Sequence, residues 1–193
     1  MKKEGLIFTV LLLIFGAFYR VIRLELLPEL PNFSPAMAIA FCGALFLPGR
    51  MVFAVSLPAL FISDLLLNVH YGQSLLHAEM LSSYFCYGAA IALGLLLRGK
   101  GPGWIFGATL FNAVLFYLVT NTVSWATSPL YAHDFGGWLQ SITVGLPGFP
   151  PSLVFFRNSL VSDLLFTALF LGVGYAAKNR SAGPNLCRQE ASS

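Results

Sequence analysis

The 193-residue chain is 57% hydrophobic and only 10% charged, with a net charge of +3 and a mean hydropathy of +0.77. A soluble domain carries about 25% charged residues, so this composition excludes a water-soluble globular protein and favours a membrane protein. The cysteines at Cys42, Cys86 and Cys187 show no CxxC or Cys/His spacing, so they indicate neither a zinc site nor a disulfide framework.

The N-terminal run begins with two lysines and continues as an apolar stretch, MKKEGLIFTVLLLIFGAF. It resembles a signal peptide, but no small-x-small cleavage site follows it. The next residues, FYRVIRLELL, extend the apolar run, and we expect Arg20 and Arg23 to snorkel outward from it. We therefore interpret this segment as a retained first membrane helix.

A membrane-spanning helix needs about 20 mostly apolar residues. Six runs meet or approach this length, at residues 5–24, 34–47, 51–68, 78–97, 103–125 and 153–177. The second run is short, so it could be tilted, re-entrant or extended by its flanks. The sequence thus predicts an all-α integral membrane protein, with six transmembrane helices in one domain over residues 1–177. Residues 178–193 are predicted to form a disordered polar tail in the cytoplasm.

The placement of lysine and arginine orients the predicted helices, because cytoplasmic loops are enriched in these residues. Alternating loops divide the eleven basic residues into eight on one side and three on the other. The larger group contains Lys2, Lys3, Arg50, Arg98, Lys100, Lys178, Arg180 and Arg188, and the smaller contains Arg20, Arg23 and Arg157. Both termini are therefore expected in the cytoplasm, and the loops at 28–35, 70–79 and 126–152 are expected outside.

The sequence SDLL occurs twice and places Asp64 and Asp163 inside apolar runs. A charged residue at the bilayer centre costs about 2.5–3.5 kcal/mol, so such residues usually face the bundle interior and have a partner. Arg157, Asn158 and Asn121 lie at a similar predicted depth. These polar groups could hold helices together by hydrogen bonds. For the set as a whole, we favour convergence on an outward-facing pocket.

Cys86 lies on the fourth predicted helix, in the same outer layer as the two SDLL aspartates. A membrane cysteine is usually a small apolar filler, but a thiolate is also a soft ligand for a transition metal that a macrocycle already holds. Aromatic residues could line the pocket or form a belt at the membrane interface. The aromatic residues predicted to line it are Phe33, Tyr71, Tyr84, Tyr87 and Trp125.

Small residues recur at helical spacing on two predicted helices, as Ala36, Ala40 and Ala44 on the second and as Gly88 and Ala92 on the fourth. Such faces allow two helices to approach closely. They could serve packing within the chain or docking of a partner membrane protein. We favour packing within the chain.

Four segments resemble an uncharacterised bacterial family of six-helix membrane proteins described as transporters. The segments are PNFSPAMAIAFCGALF, FISDLLLNVHYG, FYLVTNTVSW and FFRNSLVSDLLFTALFLG, and the resemblance runs from about Asn32 to Tyr175. That family is similar in size and topology to the S components of energy-coupling factor vitamin transporters. S components bind a vitamin outside the cell, and many dock on a shared membrane subunit driven by two ATPases.

The resemblance implies a substrate-binding protein for vitamin uptake in the bacterial cytoplasmic membrane, with no intrinsic cofactor and no nucleic-acid partner. In S components, a small-residue patch on the first helix contacts the shared subunit, whereas here the best such patch is on the second. One S-component branch handles cobalamin and carries a cysteine on a mid-chain helix. Cys86 is the residue here that matches, so cobalamin is the specific expectation, with Cys86 as axial cobalt ligand and a capacity for thiol-mediated ligand exchange.

Two other classes of function stay open on the sequence alone. The chain could be a membrane enzyme that uses Asp64 and Asp163 as a carboxylate pair, or a structural partner in a membrane assembly. The predicted substrate-binding residues are Phe33, Asp64, Tyr71, Tyr84, Cys86, Tyr87, Asn121, Trp125, Arg157, Asn158 and Asp163.

Overall fold

A computed structural model describes residues 11, 14–16, 18–20, 22, 26, 29–48, 51–70, 72, 74 and 78–182, with side chains to residue 176. The predictions for Arg23, Tyr71, Cys187 and the polar tail beyond residue 182 lie outside the described residues. So does most of the first predicted helix, although the described residues between 11 and 26 are all helical. In the part of the chain that is described, every regular element is a helix.

Six α-helices and one π-helical segment follow residue 35 in the described chain. They are α1 (Ala36–Phe46), π1 (Val52–Ser56), α2 (Leu57–His70), α3 (Ala78–Leu96), α4 (Pro102–Thr127), α5 (Phe135–Ser141) and α6 (Ser152–Ala182). The π-helical turn precedes Pro58, whose missing N–H interrupts the ordinary α-helical ladder. The fold is therefore all-α, as predicted.

Four stretches are long and apolar enough to cross a membrane: Val52–His70, Ala78–Leu96, Pro102–Thr127 and Ser152–Ala176. Their ends lie within two residues of the predicted spans. Large apolar side chains are exposed along them, including Leu81 at 70% and Phe85 at 65%. Such a surface suits contact with lipid better than contact with water. The chain therefore has the features of an integral membrane protein.

Helix α1 is the central element of the bundle and not a span of ordinary length. Its 11 residues rise only about 16 Å, whereas the hydrocarbon core of a bilayer is about 30 Å thick. It packs against α3, α4, α6 and π1, and nine of its residues, from Ala36 to Ala44, are buried. A helix that is apolar on every side is expected at the centre of a bundle.

Side-chain hydrogen bonds hold both ends of α1. At its start, the Ser34 hydroxyl accepts a hydrogen bond from the Ala36 amide at 3.3 Å. At its end, the Arg98 guanidinium donates to the carbonyl oxygens of Ala44 at 2.7 Å and Leu47 at 2.6 Å. These carbonyls belong to the last helical turn, where intrahelical partners are missing.

The two predicted small-residue faces differ in burial. Ala36, Ala40 and Ala44 are buried within the chain, so they serve internal packing and are not exposed for docking. Gly88 and Ala92 are exposed, so the expectation of internal packing is wrong for this pair. A close contact with α1 is made instead at Gly94, two positions beyond Ala92, and both Gly94 and Ala90 are buried.

Candidate functional site

A buried ion pair joins the N-terminal helical residues to α2. Arg20 Nη2 lies 2.6 Å from Asp64 Oδ1, and Arg20 Nη1 donates to the Ser63 hydroxyl at 2.7 Å. Ser63 in turn donates to the carbonyl of Leu60 at 2.8 Å. Arg20 and Asp64 are each only 9% exposed. The expectation that Arg20 snorkels outward is therefore wrong, because its charge is neutralised inside the protein by an aspartate.

The ion pair leaves several polar atoms without hydrogen bonds among the described residues. They are Arg20 Nε, Asp64 Oδ2 and the Tyr84 hydroxyl. Tyr84 lies close enough to Asp64 to interact electrostatically, but the two groups do not meet hydrogen-bond geometry. The Tyr84 ring also packs edge-on against Tyr87, with centroids 5.5 Å apart. This half of the site combines a neutralised charge pair with aromatic packing.

A small cavity lies beside the ion pair, between the N-terminal residues, α1, α3, α4 and α6. Its volume is about 60 Å³, which corresponds to roughly two water molecules in the liquid. The lining residues are Arg20, Asn32, Ser34, Ala36, Met37, Tyr87, Phe116, Ser159 and Asp163. The cavity therefore has a polar side of hydroxyl, amide and charged groups and an apolar side with two aromatic rings.

Asp163 is the acidic residue that faces this cavity. Its residue is 4% exposed, and among the described residues it has no hydrogen-bond or ion-pair partner. Ser159 and Thr167 lie one turn to either side of Asp163 on α6, and Thr167 contacts the Thr109 hydroxyl at 3.3 Å. The next turn is apolar, with Phe170 4% exposed. The polar face of α6 thus extends from the cavity to the middle of the helix and ends there.

Residues 29–35 contribute Asn32 and Ser34 to the cavity lining and are held to α6 by three side chains. The Ser162 hydroxyl accepts from the Ser34 amide at 3.2 Å and donates toward the Ser34 carbonyl at 3.0 Å. Asn158 Nδ2 donates to the Pro31 carbonyl at 3.0 Å, and the Ser159 hydroxyl lies 3.4 Å from the Asn32 carbonyl. We call residues 29–35 the cover loop.

Tyr87 and Phe116 form the aromatic wall of the cavity. Their ring centroids are 6.3 Å apart and their planes differ by 17°, so the rings are stacked. Tyr87 is only 3% exposed. Tyr87 was predicted as a site residue, and Phe116 was not.

Several predicted site residues lie away from the cavity lining. Asn121 donates to the carbonyl of Tyr117 in its own helix at 2.8 Å. Trp125 donates to the carbonyl of Ala132 at 2.9 Å and so fixes the loop before α5. Arg157 is exposed and donates to the side chain of Asn158 at 3.2 and 3.3 Å.

Phe33 and Cys86 are both packed among apolar side chains. Phe33 belongs to the cover loop and lies with its ring centroid 6.1 Å from that of Phe166. Cys86 is 1% exposed and belongs to the hydrophobic core. Cys86 is absent from the cavity lining, although its neighbour Tyr87 is present. Among the described residues, no group of three or more His, Cys, Asp or Glu side chains could hold a metal ion.

The comparisons with known proteins identify the family. A family model described as a family of unknown function, DUF6580, matches residues 2–186. The chain belongs to the DUF6580 family. No curated protein and no solved structure matches the chain. Since the DUF6580 description assigns no activity, function has to be inferred from the site.

The DUF6580 site contains residues that the sequence analysis missed, and two signals could have found them. Ser159, Asp163 and Thr167 recur every four residues on α6, so they share one helix face. Arg20 lies within an apolar run on a different segment from Asp64, which is the usual sign of a buried charge pair. The roles of Asn32 and Ser34 depend on how the cover loop folds back, for which the sequence carries no local signal.

Proposed function

We propose that this DUF6580 protein is a substrate-binding membrane protein for the uptake of a small organic solute of the vitamin class. The observation that carries this proposal is the cavity containing Asp163, which provides a polar, partly aromatic site inside an otherwise apolar bundle. A purely structural polar cluster would satisfy its own groups, whereas this one leaves a buried carboxylate without a partner among the described residues. Solute-binding sites characteristically combine apolar walls with a few convergent polar groups.

The proposed direction of uptake follows from the distribution of basic residues. With both termini in the cytoplasm, the cover loop and the cavity lie toward the outer face of the bacterial cytoplasmic membrane. The polar face of α6 ends at Phe170, so on this helix no polar path continues from the site toward the inner face. A site of this kind captures a solute and needs a further step for release. An energy-coupling factor membrane subunit and its ATPases would supply that step.

The existing cavity limits which solute binds without rearrangement. Sites for drug-sized ligands usually have volumes of about 300–1,000 Å³, whereas this cavity has about 60 Å³. A vitamin-sized solute therefore requires the cover loop to move away from α6. Of the two SDLL aspartates, Asp163 lines the cavity, and Asp64 is engaged by Arg20. A cooperating pair of catalytic carboxylates consequently finds no support in this arrangement.

Cobalamin remains the specific proposal for the solute, with Cys86 as the cobalt ligand. Since Cys86 is buried in the core, its thiol would reach a corrinoid only after α3 moves relative to its neighbours. Protein purified from cells supplied with cobalamin should then show a corrinoid absorbance spectrum, because a thiolate ligand shifts the visible bands. Cys86→Ser should abolish that shift. If the serine variant shows the same spectrum as the wild-type protein, Cys86 is not a cobalt ligand.

Co-purification tests the general proposal without assuming the solute. The full chain is purified in mild detergent, its small molecules are extracted, and mass spectrometry compares them with those from membranes lacking the protein. Ser159→Leu should lose any enriched compound, because the larger side chain fills the cavity. Val161→Leu is the matched control, since Val161 is 52% exposed on the same helix.

The enriched compound is then supplied in labelled form to cells that express the protein. Uptake above that of cells without the protein supports the proposal, and uptake should fall in Ser159→Leu. Absence of both an enriched compound and enhanced uptake, with well-folded protein in the membrane, would refute it.

A further inference from the structure

We propose that the cavity binds the positively charged amine group of the solute, with Asp163 as its counter-ion and the Tyr87 and Phe116 rings as its aromatic wall. This inference rests on the general proposal of solute uptake and names the chemical class of the substrate. It is an alternative to cobalamin, because the side chains of cobalamin are neutral amides and carry no ammonium group. It is drawn from the balance of charges around the cavity, the geometry of its walls and its size.

Among the described residues, the charges around the cavity do not balance. Arg20 and Asp163 are the charged residues that line it. The Arg20 charge is already matched by Asp64 at 2.6 Å, so it does not neutralise Asp163. Of the other arginines whose side chains are described, Arg157 is exposed beside Asn158, and Arg98 binds carbonyl groups at the far end of α1. A buried carboxyl group is stable as an anion only when a positive charge lies beside it, and a cationic ligand would supply that charge.

The walls of the cavity fit an organic cation better than a metal ion. The face of an aromatic ring carries negative potential and attracts cations within about 6 Å, and Tyr87 and Phe116 both contribute to the lining here. Hard metal ions instead prefer a shell of six or more oxygen ligands. Ala36 and Met37 provide an apolar surface that a metal ion would not use but that the carbon skeleton of an amine would cover.

The remaining polar groups suit the hydrogen-bonding pattern of an ammonium group. A primary ammonium has three N–H donors and no acceptor. The oxygen atoms of Ser34, Asn32, Ser159 and Asp163 around the cavity can accept such bonds. An anionic solute group would face the unpaired carboxylate of Asp163 and be repelled. The site therefore discriminates by charge sign as well as by shape.

The volume of about 60 Å³ fits the head group and not a whole solute. A methylammonium-sized group is close to this size, since it contains only two heavy atoms. The rest of a larger molecule would extend beneath the cover loop. Methylammonium is consequently the smallest probe that carries the proposed recognition chemistry.

The experiment titrates the purified full chain with methylammonium chloride and follows the thermal unfolding midpoint. We expect a saturable rise with methylammonium, and none with sodium chloride or sodium acetate at the same ionic strength. Asp163→Asn should abolish the rise, because it removes the counter-ion at nearly constant volume. Asp134→Asn is the matched control, since Asp134 caps α5 by accepting from the Gly137 amide at 2.7 Å and lies outside the cavity. This control should retain the response.

A second variant keeps the test decisive if Asp163→Asn fails to fold. Phe116→Leu keeps the apolar wall but removes one aromatic face, and it should weaken methylammonium binding roughly two- to thirtyfold. An equal response to sodium would overturn the proposal in favour of a metal-cation site. A response to acetate, or unchanged methylammonium binding in both variants, would also overturn it.

Failure of this inference can be separated from failure of the uptake function. If cells take up the co-purified compound but methylammonium does not bind at Asp163, the amine assignment alone is wrong. If methylammonium binds through Asp163 but no solute is transported, the amine site stands and the uptake function is wrong. Mass spectrometry gives an independent check, because the enriched compound should contain a basic nitrogen.

Discussion

At the scale of single residues, the two SDLL segments have the same sequence but different roles in the structure. In the first, Ser63 and Asp64 both bind Arg20 and close a buried charge pair. In the second, Ser162 holds the cover loop, and the acidic residue after it faces the cavity. The same argument from depth in the membrane was applied to both aspartates, and it correctly predicted that both are buried. It could not distinguish their roles, because the residues that surround each aspartate come from distant parts of the chain.

The Arg20–Asp64 pair predicts a characteristic pattern in a double-mutant cycle. Arg20→Leu and Asp64→Leu should each lower stability by about 3–5 kcal/mol, because each leaves an uncompensated buried charge. The double variant should be much less destabilised than the sum of the two, since neither charge is then buried. Thermal unfolding of purified protein and folded yield measure the effect. Additive losses would show that the two side chains do not interact, and Lys100→Leu, at an exposed position, should be nearly neutral.

At the scale of helices, the sequence predicted the long elements well and the close contacts between them poorly. Apolar length defines a membrane helix, so the spans ending at Leu96 and Thr127 were predicted within two residues. The register of contact depends on which face turns inward, and the alternatives on α3 differ by only two residues. Gly88 and Ala92 matched the small-residue pattern, but Gly94 is the small residue that meets α1.

The contact between α1 and α3 predicts opposite outcomes for two glycines on one helix. A Cβ at Gly94 would lie 2.6 Å from the Phe41 carbonyl oxygen and 2.8 Å from the Ala44 Cβ, whereas a Cβ at Gly88 would meet nothing within 4 Å. Gly94→Ala should therefore lower stability by about 1–3 kcal/mol through overpacking, whereas Gly88→Ala should raise it by about 0.5–1 kcal/mol, because alanine favours a helix interior more than glycine does. Thermal unfolding in detergent measures both. Equal effects would contradict the close approach of α1 to α3.

The fastening of the cover loop to α6 predicts where local opening will increase. Ser162→Ala removes the acceptor of the Ser34 amide, so hydrogen exchange at Ser34 should become roughly two- to twelvefold faster. Ser83→Ala is the control, because the Ser83 hydroxyl donates to the Glu79 carbonyl in its own helix at 3.0 Å. Mass spectrometry of peptides that span residues 30–38 measures the rate. Unchanged exchange in Ser162→Ala would show that other contacts hold the loop.

At the scale of the whole molecule, composition was sufficient to predict the class of protein but not the packing of its central helix. High hydropathy and few charges correctly indicated an all-helical membrane protein. The second predicted span proved to be α1, a short helix enclosed by the others, because its alanine-rich sequence permits close contact on every side. The candidate site was predicted only in part. Asp163 and Tyr87 line the cavity, but the contributions of Arg20, Asn32 and Ser34 require residues far apart in the sequence to meet.

The enclosure of α1 also has a consequence for how the protein is made. Its walls are formed largely by α3, α4 and α6, all of which are synthesised after it. A segment of 11 residues is too short to integrate stably into the bilayer by itself. During translation, α1 is therefore expected to stay near the translocon until the helices that pack against it have been synthesised. We therefore expect the helix bundle to assemble stably only after α6 has emerged from the ribosome. Nascent chains truncated before residue 152 should be cleared by membrane quality-control proteases.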